Sequence, residues 1–474
     1  MRGARDCSRE TGRLECAPPF RMCSSRRLSA LGLARALRAG AMQPDALLAR
    51  GVAALGAQPA WLGPLIEELF PLPQTTWLGM SVADLADRIE SSVAFGAASA
   101  DGHAPTIRRW ILRFSSMHPA PLGLHDLLLP QLDHTEALAQ WLGVSLETLR
   151  WFAACPPRRR HADLQRQHYA FRLLPKRSGG GRLIEAPRSR LKALQRRILD
   201  DLLDAVPVHE ACHGFTRDRS VLTHARVHVG QPVVIRFDLM NFFASITAAQ
   251  VRATFQTLGY PAGVAQDLTA LCTLLTPEPV IARLQDDGWL DWHQARCLRS
   301  PHLAQGAPSS PILANLCAFQ LDLRLAGLAD TMGARYSRYA DDLVFSGPAS
   351  VGSSFDRLAA WVGRIALEEG YTVNHRKTWL ASQATQQRVC GVVVNQHPNL
   401  PREAFDRLRA LLHQCATHGP ASQSDRALDE FRLHVLGRMT WAEQINPSKA
   451  RRLRKLFDRI VWDAAPAQEL PQSG

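Results

Sequence analysis

No run in this sequence reaches the roughly 18 to 20 uncharged apolar residues that a membrane-spanning helix needs, which predicts no membrane partner. Its ten cysteines, at 7, 16, 23, 155, 212, 272, 297, 317, 390 and 415, include no pair at the two-residue spacing of a zinc knuckle or thioredoxin-type motif. A scattered set of that kind reads as reduced, mostly buried thiols of a cytoplasmic protein. No internal repeat is visible, and only the N-terminus is biased in composition. The first forty residues carry nine Arg, no Lys and three acids, and no apolar segment long enough for a targeting peptide interrupts the arginines before Leu31. Residues 1–41 are therefore expected to be a disordered basic extension, with Met42 as an alternative start.

With 46% hydrophobic and 21% charged residues, wholesale disorder is excluded. The 474 residues suggest about three domains. Lys and Arg number 56 against 43 acids, a net charge of +13 that points to a polyanionic partner, most simply nucleic acid.

Residues 42–160 are rich in Ala, Leu and Trp, with helical periodicity (Leu138, Trp141, Leu142, Leu146, Leu149, Phe152) and no strand-like alternation. Within them, residues 139–149 (AQWLGVSLETL) place a Gly at a tight turn and Ser145 at an N-cap. That pattern is helix-turn-helix-like, and its plainer reading is a helical hairpin packed on a neighbouring domain. Strand signals begin at Tyr169: residues 169–175 and 182–187 flank Ser178-Gly179-Gly180-Gly181, a hairpin with a flexible tip. Residues 232–239 (PVVIRFDL) form a β-branched run that delivers an acid at its end, and residues 335–346 (RYSRYADDLVFS) read as two short strands with acids at the turn. Helices are expected at 191–206, 249–258, 311–329 and 353–370. Past Pro401 the chain is helical, with Leu453, Phe457 and Ile460 as a core stripe and Lys449, Arg451, Arg452, Arg454 and Lys455 facing outward.

Asp238 at one strand end and Asp341-Asp342 at a hairpin turn lie where a sheet presents side chains on one surface. Carboxylates converging from separate strand ends can hold a pair of Mg2+ ions. Such a pair stabilises the attacking and leaving oxygens of an in-line phosphoryl displacement. The alternative for Asp341-Asp342 is a simple turn-former. Gln285-Asp286-Asp287-Gly288 is a second acid pair with no strand delivering it, and reads as a polar loop. Residues 305–311 (QGAPSSP), followed by ILANL, combine a Gly for close backbone approach with a helix start suited to a substrate platform.

Phe237-Asp238, the QGxxxSP segment and Tyr339-Ala340-Asp341-Asp342 together resemble the palm domain of reverse transcriptases. The order also resembles that family's: a basic fingers hairpin, the first Asp, QGxxxSP, YADD, Gly370 to Lys377, then a hairpin that grips the primer. The resemblance spans residues 169–400, and the helical tail to about 465 looks like the family's thumb. It implies an α+β right-hand polymerase, with fingers and an antiparallel palm sheet over 161–400, a helical thumb and short tail over 401–474, and a helical region 42–160 in front. The implied activity is RNA-directed DNA polymerisation from dNTPs with two Mg2+ ions, Mn2+ being a possible substitute. Asp238, Asp341 and Asp342 match the metal triad, with the Leu239 carbonyl as a further ligand. Phe243 matches the bulky residue that crowds the sugar 2′ position, while its place beside Phe242 leaves a core role equally open. Lys176 and Arg182 flank the Gly-rich tip, where cations close over a triphosphate, Arg182 being the better match. Gln305 and Gly306 match the nucleotide pocket. Lys377 matches a palm lysine placed near the departing pyrophosphate as a general acid, against the plain alternative of a solvated lysine.

Within the family the sequence looks most like the bacterial retron type. His224, Ala225 and His228 stand where retron enzymes carry NAxxH, with His224 replacing the Asn, and Val389-Cys390-Gly391 stands for their VTG. Asp238 to Phe243 is similar to the retron DLxxFF. The resemblance implies a cognate noncoding RNA as template and primer, an RNA–DNA duplex, a branched RNA-linked DNA (msDNA), and anti-phage defence with an effector protein. His224, His228, Val389 and Gly391, together with Arg451 and Arg454 of the thumb, become candidate RNA contacts. A group II intron enzyme would need more chain after Pro401 than residues 402–474 supply, and an inactive subunit would not need three acids and Gln305 intact.

Overall fold

The computed structural model describes residues 25–39, 42–72, 77, 80, 82–98, 104–110, 117, 124, 126–153, 168–175 and 180–462. The fold is a helix-rich α+β arrangement in two compact units, Met1–Ser115 and Ser116–Gly474.

The first unit holds the helices Ser25–Arg38, Pro44–Leu55, Leu62–Leu69, Val82–Ser91 and Val93–Ala98. Composition alone assigns residues 25–38 to a disordered extension, and the structure corrects this. Ala30, Leu33, Ala34 and Leu37 recur at i, i+3, i+4 and i+7 and are fully buried against Leu47, Leu62, Leu85 and Ile89. An apolar stripe of that width needs a partner however many arginines flank it. Arg27 is itself drawn in, pairing with Asp87 and Glu90. Residues 1–24 lie outside the described residues.

The expected helical region 42–160 is divided between the units. Its last part is the hairpin Thr135–Leu142 and Leu146–Phe152, turned at Gly143 with φ +67° and capped by Ser145, whose hydroxyl accepts from Thr148 N. Leu138, Leu142, Leu149 and Phe152 enter the core of the second unit, so the plainer reading of the LGVS segment is the correct one.

The strands of the second unit are β1 (Tyr169–Pro175), β2 (Gly181–Pro187), β3 (Val233–Asp238), β4 (Thr273–Leu274), β5 (His302–Leu303), β6 (Arg335–Tyr339), β7 (Asp342–Gly347), β8 (Trp379–Ser382), β9 (Arg388–Val389) and β10 (Val392–Val393). β1 and β2 form the hairpin read from the sequence, and β9 and β10 form another. The central sheet is antiparallel in the order β6-β7-β3-β8. Side chains alternate across a strand, and here parity separates two cores. Val233, Ile235 and Phe237 of β3 and Leu343 and Phe345 of β7 pack with Leu321 and Leu325 of the helix Phe319–Thr331 and with Leu358 and Val362 of the helix Phe355–Glu368. Val234 and Val344 face the other way, toward Leu408, Leu412, Val435 and Leu453 of the helices Arg402–His418, Leu428–Ile445 and Pro447–Phe457. Both faces are covered, which is why β3 reads as a continuous β-branched run. The single helix expected at 311–329 is two, Ser310–Cys317 and Phe319–Thr331, bent by 50°. Among the described residues no single helix is long and apolar enough to cross a membrane; the bent pair passes on length and composition, and its Leu313, Leu321 and Leu325 are fully buried.

Candidate active site

The same parity places the acids. Asp238 and Asp342, like Arg236, fall on the Val234 side of the sheet, and Asp238 stands directly opposite Asp342 in the β3–β7 register. Asp341 occupies the two-residue turn between β6 and β7, and its carbonyl accepts from Leu239 N at 2.8 Å. Leu239 is itself buried, so only its backbone borders the acids. The Asp238 carboxylate receives Lys377 Nζ at 2.9 and 3.0 Å, and the Asp238 carbonyl receives Asn374 N at 2.7 Å. Asp342 accepts from Arg236 Nε at 2.5 Å and from the Cys390 thiol at 3.3 Å. Asp341 has no side-chain partner among the described residues. Burial, then the charge of Asp238, raises its carboxyl pKa. Burial also raises that of Asp342, with Arg236 opposing.

Holding Asp341 in this turn requires Ala340 at φ +56°, a left-handed conformation that costs an L-residue about 1–2 kcal/mol. Arg338 holds it. Its guanidinium is fully buried, donates to the Ala340 carbonyl at 3.1 Å, and is gripped by Asp322 at 2.7 and 2.6 Å and by Asn315 at 3.1 Å. Burial opposes the Arg338 charge, and Asp322 more than offsets it, raising the pKa. Gly214 lies against the same turn: a Cβ there would meet Ala340 N at 2.8 Å. Sequence reasoning missed Arg338, Asp322, Asn315 and Gly214. The available signal, an arginine on a strand position, becomes telling only once the helix that carries Asp322 packs on that face of β6.

The remaining candidates divide. Arg182 is exposed on β2, and the QG segment abuts that strand: Glu185 N donates to the Gln305 carbonyl at 2.9 Å, and Gly306 sits at φ +134° with a would-be Cβ 3.2 Å from the Glu185 carbonyl. Beneath this junction a buried Glu185–His302 pair, 3.2 Å apart, ties β2 to β5. Lys176 lies outside the described residues. The two phenylalanines are resolved: Phe242 is buried against Tyr371, whereas Phe243 is half-buried and linked through the exposed Phe215 ring, 6.2 Å away, to Tyr339 of the YADD turn. Arg451 and Arg454 are exposed on the last helix.

His224, His228 and Val389 are corrected as RNA contacts, because all three are fully buried. His228 bridges Ser346 and Ser337 at 2.7 and 2.8 Å, and His224 Nδ1 meets the same Ser337 at 2.8 Å, so the histidines brace β6 to β7. Gly391, at φ +84° in the β9–β10 turn, is exposed. Asp286 and Asp287 end the helix Glu278–Asp286 and bring no other acid with them, as the polar-loop reading requires.

Comparison with known proteins agrees with this geometry. Residues 174–394 match the family described as reverse transcriptase (RNA-dependent DNA polymerase). The chain is 42% identical over 327 residues to the retron Mx65 reverse transcriptase of Myxococcus xanthus, covering 69% of this chain and 72% of that protein. It is 35% identical over 355 residues to the retron Mx162 reverse transcriptase of the same organism, covering 72% and 70%. To the retron Ec86 reverse transcriptase of Escherichia coli it is 28% identical over 340 residues, covering 71% and 92%.

Proposed function

This chain belongs to the retron-type reverse transcriptases and is an RNA-directed DNA polymerase; from that premise we propose that Asp238, Asp341 and Asp342 carry the polymerisation and that its template is a cognate structured noncoding RNA. The observation that carries the reading is the register of Asp238 against Asp342 with Asp341 in the adjoining turn.

The donor set fits hard divalent cations, which prefer oxygen ligands. Three carboxylates crowd one sheet edge, and the cations beside them are the side chains Lys377 and Arg236, standing where positive charge is needed. Asp238, Asp341 and Asp342, with the Leu239 carbonyl, would hold two Mg2+ ions, or Mn2+ in their place. The chemistry such ions supply when bound is a lowered pKa at the primer 3′-hydroxyl and neutralisation of the leaving pyrophosphate.

The chain's own groups do the rest. Arg182, with Lys176, grips the triphosphate, and the QG backbone at Gln305 and Gly306 lines the dNTP. Phe243 crowds the sugar 2′ position. Lys377 delivers a proton to the departing pyrophosphate. In this reading β1–β2 are the fingers, the four-stranded sheet is the palm, and the helices of residues 402–457 are the thumb, where Arg451 and Arg454 hold duplex phosphates without regard to sequence. The family membership supports a branched RNA-linked DNA product, primed from a guanosine 2′-hydroxyl of the RNA, and a role in anti-phage defence beside an effector protein. The test is to sequence the nucleic acid that copurifies with the chain. A branched RNA–DNA molecule is expected; unbranched RNA with no attached DNA would overturn the msDNA reading.

A further inference from the structure

A second donor set, of different chemistry, meets Asp342 from another side. His224, Asp342 and Cys390 each offer one ligand atom, and the three atoms lie within 4.8 Å of one another. His224 is fully buried, and its Nε2 has no hydrogen-bond partner. The Cys390 thiol donates to Asp342 Oδ2 at 3.3 Å, while the other carboxylate oxygen is taken by Arg236. A polar nitrogen buried without a partner beside a thiol and a carboxylate is a vacancy that hydrogen bonding leaves unfilled.

We propose that His224 Nε2, Asp342 and Cys390 Sγ bind a thiophilic divalent cation, zinc by preference, and that its binding withdraws Asp342 from polymerisation. The inhibitory consequence rests on the reading of Asp342 given above; the site itself does not.

Nitrogen, carboxylate and thiolate together suit zinc or cobalt and not Mg2+. Atoms within 4.8 Å of each other share a point no farther than about 2.8 Å from any of them, against about 2.0–2.3 Å for zinc bonds, so closure by roughly half an ångström completes the site. Binding breaks the Cys390 S–H bond, sends the proton to solvent, and forms the sulfur–metal bond in its place. Thiolate and carboxylate then bring two negative charges against the one positive charge of Arg236.

The imidazole is prepared as a ligand. Burial, helped by the charges of His213, Arg236 and Arg338, pushes the His224 pKa down to about 3, so the ring is neutral. Ser337 Oγ lies 2.8 Å from both His224 Nδ1 and His228 Nε2. When His224 Nδ1–H donates to Ser337, and Ser337 donates onward to His228, the lone pair of His224 Nε2 is left free, the second-sphere arrangement that orients metal-bound histidines. Entry is open from the Cys390 side, through a surface cavity of about 500 Å³ lined by Arg236, Trp379, Thr385, Arg388, Cys390 and Gly391. Cys390 stands where the retron pattern has Thr, so the thiol donor belongs to this chain's own sequence.

The test uses the full chain, stripped with a chelator and titrated with Co2+ in excess Mg2+. One equivalent should bind with a thiolate-to-cobalt charge-transfer absorption that Cys390→Ser abolishes. Absence of that band from the wild-type chain, or its persistence in Cys390→Ser, overturns the site. Ser337→Ala, checked for folding by circular dichroism, should weaken Co2+ binding about 10- to 100-fold; unchanged affinity overturns the assignment of His224. Equimolar Zn2+ in excess Mg2+ should slow primer extension by the wild-type chain more than by Cys390→Ser, and equal slowing overturns the coupling to polymerisation. Because the cobalt band is read without turnover, a chain that binds cobalt and extends no primer counts against the polymerase roles and leaves the site standing.

Discussion

Lys377 Nζ bridges both carboxylate oxygens of Asp238, at 2.9 and 3.0 Å, from the short turn after Asn374, whose own backbone N–H holds the Asp238 carbonyl. More than half of the lysine side chain is exposed while the Asp238 side chain is 6% exposed, so the pair can open toward solvent without moving the sheet. A lysine in that position both neutralises the acid at rest and can swing to a leaving group. Lys377→Gln is expected to lower the single-turnover rate of dNTP addition by about 10²- to 10⁴-fold, the usual range for a lost general acid, with little change in dNTP KM. A change confined to KM would assign Lys377 to holding Asp238 alone.

Asp341 is the acid without a side-chain partner, and charge removal there leaves the packing untouched. Asp341→Asn should lower primer extension on an RNA template by about 10³-fold or more, since several kcal/mol of charge stabilisation are lost. RNA affinity, measured by filter binding, should be unchanged. Retained extension would remove Asp341 from the mechanism.

Phe243 presents a half-buried ring, in contrast to the buried Phe242. Phe243→Ala should raise the ratio of rNTP to dNTP incorporation in a single-nucleotide extension assay with little loss of thermal stability. An unchanged ratio together with a lowered Tm would place the ring in the core.

The Arg338–Asp322 pair is completely buried, with both side chains at 0% exposure. Asp322→Asn should therefore destabilise the chain by about 3–5 kcal/mol, because it leaves an uncompensated buried cation. The double variant Asp322→Leu, Arg338→Met should recover much of that loss in chemical denaturation. It should still extend primers poorly, because the hydrogen bond to the Ala340 carbonyl that holds the Asp341 turn is gone.

At the junction of β2 and β5, burial pushes the His302 pKa down, but the charge and hydrogen bond of Glu185 outweigh this, and the net shift is upward. A raised folded pKa means that protonation favours the folded state. The contribution is complete below the unfolded histidine value of about 6.5 and is lost as pH rises through the higher folded value. The wild-type Tm should fall over that interval relative to His302→Gln. Parallel curves for the two would show that the pair is not ionised.

The acids, the QGxxxSP segment and the hairpins were legible in the sequence because each rests on local chemistry. A β-branched run ending in Asp, two short strands around YADD, and Ser145 after a turn glycine all declare themselves within a few residues. The family resemblance followed from their order. What the sequence left open was decided by distant partners. The arginine-rich segment 25–38 folds because Leu33 and Leu37 find Leu47, Leu62 and Leu85. His224 and His228, which stand in an RNA-associated motif, are buried because Ser337 and Ser346 of two later strands receive their ring nitrogens. The turn that aims Asp341 depends on Arg338, whose charge is tolerable inside the protein only because a helix carries Asp322 to it. Local pattern identifies which groups can do chemistry; burial and charge compensation, which require the closed tertiary structure, determine which of them face the substrate.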